Sequence, residues 1–195
     1  MIDIAREHGR DSAVCVGDAA LRRHMTTPDA LAATVAECGR WPGIRRARGV
    51  IDLLDPLSES PLESVGRLRI HDLGLPRPQL QVNIFDLTGR FLGRVDQYWD
   101  EPGVFGEVDG KEKYGDQPRA SWWAEKKRHE RIEDTGLVGL RYGQAEIEDP
   151  PELARKVTSA FRRGFARPPG ERAWRAVPTT PPEPWDLALA DHVPY

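Results

Sequence analysis

Residues 80–109 read LQVNIFDLTGRFLGRVDQYWDEPGVFGEVD, and the reading of the whole chain turns on them. Leu80, Val82 and Ile84 alternate with Gln81 and Asn83, which is the period of a strand with two different faces. Asp86-Leu87-Thr88-Gly89 is turn chemistry, and the run from Phe91 to Trp99 answers it, so the pair reads as a β-hairpin. The turn-like Asp100-Glu101-Pro102-Gly103 then leads to a third strand, Val104 to Asp109. The odd feature is charge. Asp96 interrupts the second strand, and Glu107 and Asp109 interrupt the third, where a core strand prefers valine. Lys111 and Lys113 follow directly.

Working outward, Ser60-Pro61-Leu62-Glu63 is a capping box with proline at the first helical position. It predicts a helix to about Leu73, stopped by Gly74. Asp116-Gln117-Pro118 opens a long helix to about Thr135, closed by Gly136, and Leu137 to Tyr142 reads as a fourth strand. Asp149-Pro150-Pro151 starts a last helix with Leu153, Val157, Ala160, Phe161 and Phe165 on one face. From residue 59 the order is helix, three strands, helix, strand, helix. That predicts an α/β fold, a mixed sheet with helices on both faces, spanning 59–166.

Residues 1–58 read as a small helical accessory segment. Asp18 starts one short helix through Leu21, Thr27 or Asp29 caps a second, and a third runs from about Ile44 to Leu54 with Ile44, Ala47, Ile51 and Leu54 on one stripe. Residues 167–195 are rich in proline, with Trp174 and Trp185 isolated, and predict a flexible tail.

A chain of 195 residues has room for one domain plus an accessory piece. Its 39% hydrophobic and 30% charged residues describe a soluble globular protein. No apolar run approaches the roughly 20 residues that cross a membrane. MIDIAREHGR has no basic leader followed by an apolar segment. Cys15 and Cys38 lack metal-ligand or redox spacing and fit reduced thiols, so the expectation is a cytoplasmic protein with no membrane partner. The net charge of −3 hides three basic clusters: Arg45, Arg46 and Arg48; then Arg119, Lys126, Lys127, Arg128 and Arg131; then Arg155, Lys156, Arg162, Arg163 and Arg167. Each is either a solvated helix face or a face for phosphates.

Side chains two apart on a strand share a face, so Phe105, Glu107 and Asp109 point one way, as do Leu92, Arg94, Asp96 and Tyr98. If the two strands pair, Asp96 meets Glu107 or Asp109. Bare carboxylates in one place repel each other and persist when protonated, paired with a cation or bound to a metal. Their hard oxygens suit magnesium or manganese. A metal so held positions water, lowers its pKa and stabilises charge on a phosphate oxygen. The structural alternative has Asp96 salt-bridged to Arg94 or Arg141, Glu63 serving only its capping box, and Lys111 and Lys113 solvated at a strand's end. It also has Trp122 and Trp123 in the core rather than stacked on bases, and His71 and His129 on helix surfaces.

An acid at the end of one strand, then an acid-x-lysine on the next, resembles the pattern of the PD-(D/E)xK nucleases, which have the restriction-endonuclease-like fold. ESPLES, GLPRPQLQV, GRFLGRVD, GEVDGKEKYG and EKKRHERIEDTG are similar to phrases in actinobacterial proteins related to the very-short-patch-repair endonuclease. The resemblance covers roughly residues 12 to 165. It implies a metal-dependent nuclease that hydrolyses DNA phosphodiester bonds with magnesium (Mg2+) or manganese (Mn2+). Asp96 and Glu107 match its metal-binding acids, with Asp109 a further ligand, and Glu63 matches the glutamate of its first helix. The lysine expected two residues after Glu107 is replaced by Asp109, so Lys111 or Lys113 supplies that charge, with Lys126 a third candidate. Arg119, Lys126, Lys127 and Arg128 contact DNA phosphates in this reading, and binding depends strongly on salt.

Such proteins often carry an upstream winged helix of the AbiEi antitoxin kind. MIDIAREHG resembles the region after it, so the winged helix is expected to be absent. The missing lysine and that coupling favour the alternative, a catalytically inactive nuclease-fold protein that binds DNA or regulates, antitoxin-like. The assemblies implied are a homodimer or a toxin–antitoxin pair.

Overall fold

In the computed structural model the meander forms as β1 (Gln79–Asp86), β2 (Phe91–Trp99) and β3 (Val104–Asp109), each antiparallel to the one before. The structure describes residues 1–110, 119–168 and 172–180, with the side chains of 119–122 excepted. Lys111, Lys113, the predicted helix start at Asp116 and the isolated Trp185 lie outside the described residues. Asp86 makes the first turn: its Oδ1 accepts from the amides of Thr88 at 2.9 Å and Arg90 at 3.0 Å. Gly89 supplies the left-handed backbone at φ +88°.

A parallel neighbour needs a crossover connection, and α6 (Arg119–Glu133) is that connection. It leads from β3 to β4 (Val138–Gly143), which lies parallel to β3. The register sets Phe105 opposite Gly139, Glu107 opposite Arg141 and Asp109 opposite Gly143. The mixed sheet has five strands in the order β4-β3-β2-β1-β5, with β5 at Trp174–Pro178.

The expectation of a loose tail fails at β5. Its pairing with β1 runs from Asp86 opposite Trp174 to Val82 opposite Pro178. A strand left at a sheet edge offers a row of backbone donors and acceptors, and β5 takes those of β1. Trp174 anchors it, donating from Nε1 to the Tyr98 hydroxyl at 2.8 Å, and packs with Ala176 against the core. That core is Val82, Ile84, Leu92, Val95, Tyr98, Phe105, Ile132 and Leu137.

Helices cover both faces, as the element order predicts. α6 lies on the face carrying Phe105 and Gly139: the His129 ring sits 4.9 Å from that of Phe105. α8 (Pro150–Phe165) lies on the face of Val104, where Gly164 packs against the Pro102 carbonyl and the Val104 side chain. Asp149 caps α8 by accepting from the Glu152 amide. α7 (Gln144–Glu148), a short helix without a sequence signal, is held by Glu146, which accepts from the Gly143 amide and pairs with Lys156.

The chain divides into two units within α5 (Pro61–Asp72): Met1–Leu68 belong to the first and Arg69–Thr179 to the second. The first unit holds α1 (Ile2–Glu7), α2 (Arg10–Arg22), α3 (Pro28–Glu37) and α4 (Ile44–Ile51) around Ala5, Val14, Leu21, Leu31, Val35, Ala47 and Val50. Thr27 caps α3 as predicted, accepting from the Ala30 amide at 3.1 Å. Asp18 does not start a helix. It sits inside α2, 1% exposed, and accepts from the Asp55 amide at 2.8 Å, the Ser64 hydroxyl at 2.7 Å and Arg67 Nη2 at 2.9 Å. The helix begins earlier because Gly9, which has no capping side chain, precedes it and leaves no start signal. No helix of the described residues is long and apolar enough to cross a membrane, and Cys15 and Cys38 form no disulfide.

Candidate functional site

The ladder between β2 and β3 joins Trp99 to Val104, Tyr98 to Phe105 and Gln97 to Gly106. At the next residue a side chain takes over: Asp96 Oδ2 accepts from the Val108 amide at 2.9 Å. The Asp96 carboxylate is therefore anchored to the β3 backbone between Glu107 and Asp109. This is the meeting of acids that the strand pattern predicts, made through the main chain rather than by direct contact.

Glu107 rises from β3 toward α6 and is 5% exposed. Its Oε1 accepts from Arg128 Nη2 at 2.7 Å and its Oε2 from Arg141 Nη2 at 2.8 Å. Arg128 comes from α6 and also donates from Nη1 to the Arg94 carbonyl at 2.8 Å. Arg141 comes from β4, directly opposite Glu107 in the register. The same Arg141 Nη2 donates to Glu125 Oε1 at 2.8 Å, and Nε lies 3.8 Å from Asp109 Oδ2. One guanidinium thus stands among three carboxylates. Burial pushes the Glu107 carboxyl up, but His129, Arg128 and Arg141 pull it down further, to about 2. Burial pushes Arg141 down, and Glu107, Asp109 and Glu125 reverse that and raise it.

Small residues make the room. Gly139 and Gly143 flank Arg141 on the same face of β4. A Cβ at Gly139 would lie 2.6 Å from His129 Nε2, and one at Gly143 would lie 2.6 Å from the Asp109 carbonyl oxygen. His129 fills this space with its ring against Phe105, its Nδ1 3.9 Å from Glu107 Oε2 and its Nε2 3.7 Å from Glu133 Oε1. Glu125, Arg128, His129 and Ile132 recur at helical spacing, and that stripe of α6 faces the sheet.

His129, expected on a helix surface, has a side chain only 17% exposed, because the stripe turns it onto Phe105. Trp123, expected in the core, is 52% exposed and lies under Lys126 Nζ at 5.4 Å from the ring centroid. It falls off the sheet-facing stripe of α6. Trp122 and Arg119 have side chains outside the described set. Of the expected DNA contacts, Lys126 and Lys127 are exposed, whereas Arg128 is turned inward onto Glu107. Glu63 lies in the first unit and completes its capping box, accepting from the Glu59 amide at 2.9 Å while its own amide donates to Ser60 Oγ at 3.2 Å. Sequence reasoning missed Glu125 and His129, and placed Arg141 only as a partner of Asp96. The signal for Arg141 was a lone cation inside the apolar run Leu137 to Tyr142.

The donor set suits a hard divalent cation: Asp96, Glu107 and Asp109 bring carboxylate oxygens from adjacent strands, and Glu107 stays ionised far below neutral pH. As the side chains stand, guanidiniums take both Glu107 oxygens, and among the described residues no group of three or more His, Cys, Asp or Glu is arranged to hold a metal ion.

No family model matches the chain, and no solved structure matches it significantly. Two uncharacterized proteins of Mycobacterium tuberculosis, from different strains, are each 31% identical to it over 163 residues, which is 83% of this chain. The chain spans about 59% of the length of these curated relatives.

Proposed function

We propose that residues 59–166 form a restriction-endonuclease-like nuclease domain that hydrolyses DNA phosphodiester bonds with a divalent metal. The observation that carries this reading is the junction of β2 and β3. Asp96 is fastened to the amide of Val108, beside Glu107, and two arginines from α6 and β4 close on the same carboxylate. The element order supports it: a helix, an antiparallel three-strand meander, a crossover helix and a strand parallel to the third.

Asp96 and Glu107, with Asp109, would hold magnesium or manganese. When bound, such an ion supplies a water of lowered pKa and positive charge for a phosphate oxygen. The chain's own residues do the rest. Arg128 and Arg141 keep Glu107 ionised, so no proton competes for its oxygens at neutral pH. The Val108 amide fixes the direction of the Asp96 carboxylate. Lys126 and Lys127, exposed on α6, bind phosphates of the backbone, and Lys111 or Lys113 places a cation beside the developing charge. Glu63 orients water or serves the outer shell.

A second reading rests on one specific observation: guanidiniums occupy both Glu107 oxygens, and Asp109 stands where the resemblance expects lysine. On that reading the fold binds DNA without cutting it and regulates, alone, as a homodimer or with a toxin partner. Incubation with supercoiled, linear and mismatched DNA in manganese or magnesium separates the two. Cleavage that needs metal and is lost in Asp96→Asn and Glu107→Gln supports the nuclease. Intact DNA that still shifts on a gel, with wild type and variants alike, supports the binder.

A further inference from the structure

Arg141 is an expensive residue for its place. Its neighbours Leu140 and Tyr142 are buried strand residues, and a lone arginine between them has no packing role. Instead its guanidinium reaches three carboxylates: Glu107 at 2.8 Å, Glu125 at 2.8 Å and Asp109 at 3.8 Å. Arg128 holds the other oxygen of Glu107 at 2.7 Å. The carboxylate that the nuclease reading assigns to a metal therefore already carries two cations.

A divalent ion and a guanidinium cannot share one carboxylate oxygen pair at full strength. Both need its lone pairs, and like charges this close repel. They are alternative partners. A guanidinium that leaves Glu107 still needs an anion, and its planar fork of donors matches a phosphate. Arg141 has an arrangement suited to that exchange. Glu125, from another element, retains one of its nitrogens at the site, and its side chain is 37% exposed, within reach of a ligand from solvent.

We propose that Arg141 is a substrate-binding residue which exchanges Glu107 for a DNA phosphate when a divalent cation takes Glu107, an inference that rests on the nuclease reading. Metal binding and DNA binding then assist each other, because each removes Arg141 from the position that blocks or occupies the other. Linkage makes the assistance reciprocal: DNA tightens metal binding by the factor by which metal tightens DNA binding.

The test measures manganese binding to the full chain without DNA, from the spin-resonance signal of the unbound ion, for wild type, Arg141→Gln, Arg128→Gln and Glu107→Gln. Removing a competing guanidinium should tighten manganese binding by roughly tenfold, the scale of one charge pair near a surface. In calcium, Arg141→Gln should bind a short duplex roughly tenfold more weakly, as expected for a lost phosphate contact. Equal or weaker manganese binding by Arg141→Gln, with Glu107→Gln binding none, overturns the exchange and leaves the nuclease reading standing. No manganese binding by any of the four proteins overturns both. Should Arg141→Gln fail to fold, Arg128→Gln and Arg141→Lys decide. The first should bind manganese more tightly and the second should bind duplex more weakly, and wild-type behaviour in both refutes the proposal.

Discussion

Replacing Glu107 with glutamine removes the charge that Arg128 and Arg141 share. The carboxyl is buried, and its pKa falls from an ordinary value of 4.5 to about 2 in the fold. A group whose folded pKa is depressed contributes stability that is present above the unfolded pKa and lost as pH falls through the folded one. The window is therefore roughly pH 5 to pH 2. A gap of about 2.5 pH units at about 1.4 kcal/mol each is worth about 3 kcal/mol at pH 7. The same relation leaves about 1.4 kcal/mol at pH 3 and almost nothing below pH 2. Urea unfolding of wild type and Glu107→Gln, followed by circular dichroism at pH 7, 5, 4 and 3, measures the difference directly. The stability gap between the two proteins should narrow by about 2 kcal/mol from pH 7 to pH 3. A gap that is constant with pH would refute the claim that the two guanidiniums hold an ionised Glu107.

Further outcomes follow from packing. Asp18→Ala leaves Arg67 buried without its counter-charge and should destabilise the first unit by about 3 to 5 kcal/mol, read from urea unfolding. Gly164→Ala drives a methyl into the Pro102 carbonyl and should cost about 1 to 3 kcal/mol, whereas Gly49→Ala, in an α4 position with open space, should be neutral or stabilising by up to about 1 kcal/mol. Thermal melts of the pair decide whether the α8 contact is as close as described. Trp174→Ala removes the anchor of β5 and should lower stability by about 2 kcal/mol, with faster amide exchange along β1 and β5.

Much of the second unit was legible because its signals are local. The alternation in β1, the Asp86 turn, the Ser60 cap and the glycines after α5 and α6 act within a few residues, and the structure uses each of them. β5 was not legible, since Trp174–Pro178 has no strong period and owes its conformation to the edge of β1, nearly a hundred residues away in sequence. Asp18 misled for a similar reason: an aspartate near a helix signals a cap, and only the tertiary partners Asp55, Ser64 and Arg67 make it an interior residue.

The acids of the candidate site were legible as charges out of place in strands. Their cations were not. Arg128 read as one of several exposed charges on α6, and its inward turn depends on the helix's angular register against the sheet. Glu125 and His129 share that stripe, and Gly139 opens the space for the histidine. A strand glycine opposite Phe105 was the one local hint, and it gains meaning only once β3 and β4 are known to be parallel neighbours.

The most direct test of the central claim is single-turnover nicking of supercoiled DNA by three proteins prepared alike: wild type, Asp96→Asn, and Asp86→Asn as a carboxylate control in the β1–β2 turn. The account predicts nicking by wild type and Asp86→Asn in manganese, none in a chelator, and none by Asp96→Asn under either condition. Nicking that survives in Asp96→Asn, or DNA left intact by wild type at every metal concentration, would contradict it.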